Sequence, residues 1–328
     1  MIFNIFTKKF KTLSALALSA VLITGLSACE STSLSIKESQ LNRIAMPVFM
    51  LKRQIPVDDV SVVAFERVHD PLQVTQIYIE DYSRAGDRGL YSPKNPATPV
   101  ALRLAAQDGS ANVIYLSAPC QYMRSAFMSQ GPADSCIADY YKEGPVSASI
   151  ISAYMQALDN IRRYNGVDSF VLNGYGSGAS VAAILASQRL DVEALRTVAG
   201  HLDMTHYDDK KLNWSYEGGL NPLDSAKSLT HLPQYHFIGQ DDDVEEVKIY
   251  HNFAQAVGPT WCLRHSLIPN ADARDGWVEQ WKALRALPLD CRADQQNRGR
   301  APVVDLTPVP FNPATLDIMD DMHGRGKK

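Results

Sequence analysis

Apolar positions fall into short runs of two kinds, and their alternation along the chain predicts its architecture. Ala45 to Leu51, Val60 to Arg67 and Val74 to Glu80 are β-branched or aromatic runs separated by Pro, Asp and His, and they read as opening strands. Asn112 to Leu116, Phe170 to Leu172, Leu195 to Ala199, Tyr235 to Ile238 and Trp261 to Ile268 continue the series. Between them lie helical segments. Val100 to Ala106, Ala179 to Ser187, Val244 to Val257 and Gly276 to Leu287 are four of these. The longest is Val146 to Arg163, where Ile150, Ile151, Tyr154, Met155, Leu158 and Ile161 recur at helical intervals. Such alternation predicts an α/β fold, a mostly parallel sheet covered by helices on both faces. Residues 200–232 lack a clear period and are expected to form a lid-like excursion or binding loop over a sheet end.

The two ends of the chain read differently. Lys8, Lys9 and Lys11 precede an apolar stretch from Leu13 to Leu26, and Leu26-Ser27-Ala28-Cys29 closes it with small residues before a cysteine. The stretch is short of the roughly 20 residues a membrane span needs. It resembles a lipoprotein signal (1–28), which implies cleavage before Cys29 and lipidation there. Glu30 after the cysteine, by resemblance to sorted lipoproteins, points to the outer membrane. A Ser-rich stretch to residue 43 follows as a flexible tether. Residues 44–291 are expected to hold the folded domain. Residues 292–328, with Pro302, Pro308, Pro310 and Pro313, read as a tail that is disordered or docks on something.

Charge and cysteines narrow the partners. Losing Lys8, Lys9 and Lys11 and no acid moves the charge from −4 to −7, which argues against nucleic acid and against electrostatic membrane anchoring. Besides Cys29 the chain has Cys120, Cys136, Cys262 and Cys291, an even number suited to an oxidising compartment. Three pairings are open. Cys120 with Cys136 and Cys262 with Cys291 is preferred, because each pair brackets one local excursion. A zinc site is the lesser alternative, since the chain has no C-x-x-C pair. No cofactor and no metal are expected.

The stretch Ser169 to Arg189 is strand, glycine-pinched turn and helix, the outline of a nucleophile elbow. The frame Gly174-x-x-x-Gly178 is present, but its apex is Gly176, and the hydroxyl comes one place later at Ser177. A plain glycine-rich turn explains the same residues. Neither G-x-G-x-x-G nor a phosphate-binding Gly-Lys-Ser/Thr occurs here.

From about residue 60 to residue 287 the chain resembles the α/β-hydrolase superfamily, and more narrowly a group of its bacterial members. The resemblance is carried by IYIED (77–81), SAPCQY (117–122), GYGSGA (174–179), TVAGHLD (197–203), PQYHFIGQDDD (233–243) and DARDGW (272–277), in that order. It implies a nucleophile position at Gly176, an acid position at Asp242 beside Asp241 and Asp243, and a histidine position at Ala273. Asp81, Tyr82 and Ser83 stand where the group has its glycine-rich oxyanion loop, and His201 stands where it has Asn. A triad needs nucleophile, base and acid together. The resemblance therefore implies a degenerate hydrolase that binds or scaffolds in the cell envelope, with protein partners there.

Two other readings stay open. Ser177 with a relocated His201 or His206 would make an active serine hydrolase or esterase. A hydrophobic-ligand or lipid carrier would hold a closed apolar cavity. Metal binding through His201, Asp203, His206 and Asp208 has little support, because imidazoles five apart lack the i, i+4 spacing of a helical zinc pair. Tyr122, Tyr140, Tyr141, Tyr175 and Trp214 either crowd the former cleft or are ordinary core.

Overall fold

Thr75–Ile79, Asn112–Leu116 and Phe170–Tyr175 are buried at every position, as strands covered on both faces must be. A computed structural model describes residues 39–58, 60–81, 99–122, 140–141, 144, 146–207, 219–242, 245–291, 301–304, 306–307 and 311. The expectations for residues 1–28 and for Cys29, Cys136, Asp208, Trp214 and Asp243 lie outside them, as does the side chain of His206. Of the two units into which the chain divides, Ile44–Lys328 holds the sheet. In the other, Met1–Arg43, residues 39–43 are helical, at the end of the expected tether.

The described strands are β1 (Leu51–Val57), β2 (Val60–Val68), β3 (Thr75–Ile79), β4 (Asn112–Leu116), β5 (Phe170–Tyr175), β6 (Val192–Val198), β7 (Gln234–Gly239) and β8 (Leu263–Ile268). They pair in the order β1-β2-β4-β3-β5-β6-β7-β8. β2 is antiparallel to both neighbours, and every other pair is parallel. The longer helices among the described residues are α1 (Val100–Gln107), α2 (Ala148–Asn165), α3 (Ser177–Gln188), α4 (Glu245–Val257) and α5 (Trp277–Arg285). A mostly parallel open sheet with a helix-opening elbow after β5 is the α/β-hydrolase fold.

Side-chain alternation on β3 separates the two faces. Ile77 and Ile79 join Ile114 and Leu116 in a core with α2, α3 and α4. Tyr78 points the other way, where Trp281 of α5 meets its ring edge-on at 5.9 Å. The Tyr78 hydroxyl donates to Asp108 Oδ2 at 2.7 Å and accepts from Trp281 Nε1 at 3.2 Å. α2 is bounded by its own chemistry. The Ser147 hydroxyl accepts from the Ile150 N–H, Gly166 ends the helix at φ 67°, and Arg162 and Arg163 occupy the last turn.

One expected strand is wrong. Ala45 to Leu51 is not extended: residues 39–45 are helical, and Met46–Val48 is a 3-10 turn started by Pro47. Phe49 then enters the left-handed region at φ 59° and breaks it. The first strand is instead Leu51–Val57, joined to β2 by a two-residue hairpin with Val57 opposite Val60. Pro56 is tolerated because β1 is an edge strand.

The flanks of the 200–232 excursion are core. Leu202 and Met204 on one side, and Ala226 and Leu229 on the other, are buried with α3 and α4. Its middle, 208–218, lies outside the described residues. Cys262 is disulfide-bonded to Cys291 across 29 residues, and Cys120 is also disulfide-bonded. Beyond Cys291 the described parts of the tail dock on the chain itself. Val304 and Leu306 pack on Ile238, Tyr250 and Ala254, and the Phe311 N–H donates to Leu267 O on β8 at 2.8 Å. No described helix is long and apolar enough to cross a membrane.

His236 and His265 sit side by side on β7 and β8, under Tyr250 and Phe253 of α4. His236 Nδ1 lies 2.7 Å from Thr197 Oγ1, and burial, with His265 beside it, lowers its pKa from 6.5 to about 3. As pH falls below 6.5 the unfolded chain takes up a proton that the folded chain refuses until about 3. Stability from this group is therefore complete above pH 6.5 and declines below it, by up to about 1.4 kcal/mol per pH unit. In urea denaturation between pH 7 and 4, the stability of the parent relative to His236→Gln is expected to fall with this slope below pH 6.5, the difference between the two cancelling the contributions of other groups.

Candidate functional site

At the carboxyl edge of the sheet, β5 turns into α3 through Gly176, whose φ 57° and ψ −123° are strained for any residue with a side chain. Gly174 and Gly178 make the close approach possible. A Cβ on Gly174 would collide with Ala179 Cα, and one on Gly178 with Ile79 O at the end of β3. The elbow that the sequence predicts is thus present, with glycine at its apex.

The space beside that apex is filled from another strand. Asp81 follows β3, which lies next to β5 with Ile79 opposite Gly174. A Cβ on Gly176 would sit 2.8 Å from both Cγ and Oδ1 of Asp81. Asp81 Oδ1 accepts the Ser177 hydroxyl at 2.7 Å and the Ser177 N–H at 3.1 Å. Ser177 is the first residue of α3 and fully buried, so a carboxylate lies against the positive end of a helix, where it is favoured. In a working elbow the N–H of the residue after the nucleophile is an oxyanion donor. Here that N–H belongs to Ser177 and is used by Asp81.

Glu80, the preceding residue, is wholly buried. Its Oε1 accepts from the Asp81 N–H at 3.1 Å and the Ala101 N–H in the first turn of α1 at 3.3 Å, while Oε2 has no partner among the described residues. Burial raises its pKa from 4.5 to about 8, against the backbone hydrogen bonds that lower it. The edge therefore carries two adjacent carboxyl groups in opposite settings, one buried and protonated at neutral pH, one hydrogen-bonded at a helix start.

His201 follows β6, and its N–H donates to Gly176 O at 3.1 Å. Its carbonyl accepts the Ser180 hydroxyl. Burial lowers the imidazole pKa, and the charges of Asp81 and Asp242 oppose that shift. Asp242, after β7, thus lies within electrostatic reach of His201. Ala273, after β8, is exposed, and its carbonyl accepts the Tyr175 hydroxyl at 2.7 Å, which ties this loop to the elbow strand. Gly176, Ser177, Asp81, His201, Asp242 and Ala273 therefore share one edge. The Ser177 hydroxyl proton goes to Asp81.

Of the four residues weighed for a metal, the side chain of His206 and the whole of Asp208 lie outside the described residues. Asp203 is hydrogen-bonded by Thr205 and by Asn252 at 2.7 Å, which outweighs burial and lowers its pKa. Among the described residues no group of three or more His, Cys, Asp or Glu could hold a metal ion. Tyr122, Tyr140, Tyr141 and Tyr175 are all buried. The sequence marks Asp81 only as a residue of the oxyanion region. Its contact with the elbow spans 96 residues of chain.

No family model matches the chain, and no curated protein matches its sequence. Solved structures similar to it include Est1E from Butyrivibrio proteoclasticus, at 12% identity over 71% of this chain and 96% of that one, with a TM-score of 0.49. A dienelactone hydrolase from Anabaena variabilis is similar at 11% identity over 72% and 93%, with a TM-score of 0.48. An α/β serine hydrolase without lid from Xanthomonas campestris is similar at 12% identity over 71% and 91%, with a TM-score of 0.45. The likeness is one of fold, which already stands on the sheet order and the elbow.

Gly176→Ser is expected to cost about 1–3 kcal/mol through backbone strain and more through the clash with Asp81. Combining it with Asp81→Gly is expected to recover the clash part, read as a non-additive double-mutant cycle in urea. For Glu80 the sign is opposite to that for His236. The unfolded carboxyl ionises above 4.5 while the folded one keeps its proton to about 8, so its contribution is lost as pH rises across that window. Glu80→Gln is expected to raise the melting temperature relative to the parent at pH 8 and to change it little at pH 4.

Proposed function

We propose that this chain is an exported, lipid-anchored protein of the α/β-hydrolase fold that binds rather than transfers acyl groups. It would act as a scaffold or receptor component of the cell envelope, facing the periplasm from the outer membrane. The observation that supports this most is the Asp81 carboxylate. It fills the space that a nucleophile's side chain would need at Gly176 and uses the Ser177 N–H that would face an oxyanion. A negative charge there opposes the negative charge that acyl transfer develops. With glycine at the apex and alanine at the histidine position, neither proton donor nor proton acceptor of a triad is in place. In a measured subtilisin series, loss of either one alone costs about 10⁶-fold.

Fluorophosphonate labelling and nitrophenyl acetate hydrolysis by the full chain test this reading. No label on Ser177 and no hydrolysis above background are expected. Labelling of Ser177 together with hydrolysis that Ser177→Ala abolishes would overturn the proposal and make the protein an esterase using Ser177 and His201.

A further inference from the structure

Glu80 Oε2 and the Tyr115 hydroxyl are wholly buried polar atoms without a hydrogen-bond partner among the described residues, and they are neighbours. The strand register makes them so. Ile79 pairs with Leu116, and the Glu80 N–H donates to Leu116 O at 3.2 Å. Ile79 and Leu116 lie in the core with α2, α3 and α4, so Glu80 and Tyr115, each next to one of them in sequence, turn to the opposite face. There the Ala101 N–H of α1 reaches Glu80 Oε1. A third hydroxyl comes to the same place. Burial raises the pKa of Tyr115, and the charges of Tyr122 and Glu80 raise it further; burial and Glu80 do the same to Tyr122.

Tyr122 is set there by a tightly held turn. Gln121 Oε1 accepts the Ala118 N–H at 2.9 Å, and the Gln121 N–H donates to Ala118 O at 3.1 Å. Cys120 and Tyr122 both stand in the left-handed region, at φ 69° and 56°. Residues with side chains enter that region rarely, and such strain collects where a site has to be shaped. The chemistry of the three groups is uniform. Glu80 Oε1 already accepts two N–H groups, so the proton that this buried carboxyl keeps at neutral pH sits on Oε2. Oε2 and the two phenols are then neutral O–H groups, each able to donate and to accept. Polar groups this deeply buried are bonded to protein or to ordered water.

We propose that Glu80, Tyr115 and Tyr122 hold one internal water molecule, which accepts from the Glu80 Oε2–H and is shared by the two phenol hydroxyls. Three partners are what a buried water ordinarily has. Neutral groups give an ion no charge to hold on to, and the nearby Asp81 charge repels an anion. The same carboxyl accepts the Asp81 N–H through its other oxygen, so the water steadies the group from which the Asp81 edge hangs. The assignment is independent of what that edge binds.

The test is a crystal structure of the chain at a resolution that resolves ordered water, with those of Tyr115→Phe and Glu80→Gln beside it. The parent is expected to show one peak about 2.5–3.0 Å from Glu80 Oε2 and from both phenol oxygens. Glu80→Gln is expected to keep the peak, because an amide N–H takes over from the carboxyl O–H. Tyr115→Phe, which removes one partner and keeps the ring, is expected to lower its occupancy or abolish it. A parent without the peak, a Glu80 carboxyl bonded directly to Tyr115, or a peak unchanged in Tyr115→Phe would each overturn the proposal. So would an anomalous signal at this position after a thallium(I) soak, which would make it a cation site.

Discussion

One carboxylate constrains the carboxyl edge more than any other group. Asp81 Oδ1 takes two hydrogen bonds from Ser177, one from the hydroxyl and one from the N–H at the start of α3. This joins the end of β3 to the turn after β5 and settles what may stand between them. With the carboxylate in place, only a residue without Cβ fits at 176. The backbone conformation there independently favours glycine, so two unrelated constraints meet on one residue. Removing the carboxylate would take away the acceptor that both groups now share, at a cost of about 1–3 kcal/mol.

Around that contact the edge is assembled from backbone as much as from side chains. His201 is carried by its amide on Gly176, and the Ala273 loop is held by Tyr175. Glu80 caps the first turn of α1 from a site too buried to keep it ionised at neutral pH. Asp81, Gly176, His201 and Ala273, from four different strand ends, are thus joined through hydrogen bonds at the elbow.

Much of the fold is legible in the residues. Asn112–Leu116 is found to the residue, because a run buried on both faces stands out between polar flanks. α2 carries its stops in Ser147 and Gly166. β1 escapes such reading because Leu51–Val57 includes Lys52, Arg53, Gln54 and Pro56, the composition of an edge that faces water. β5 runs past the apolar Phe170–Leu172 because Asn173, polar but buried, is satisfied by Gln76 and Ile77 from the next strand. At the site, the elbow and its missing hydroxyl are visible in GYGSGA. The meaning of Asp81 is not, since it depends on two loops meeting in space.

The tail has a consequence for the sheet as a whole. β1 and β8 are its two margins. The first carries a proline and charged residues, and the second receives a main-chain hydrogen bond from Phe311, with Val304 and Leu306 packed nearby. Both margins are thus interrupted, the first by Pro56 and charge and the second by the Phe311 contact. Two copies meeting edge to edge would find a proline and charged side chains at one margin and, at the other, a carbonyl already taken by Phe311, an arrangement that disfavours strand addition.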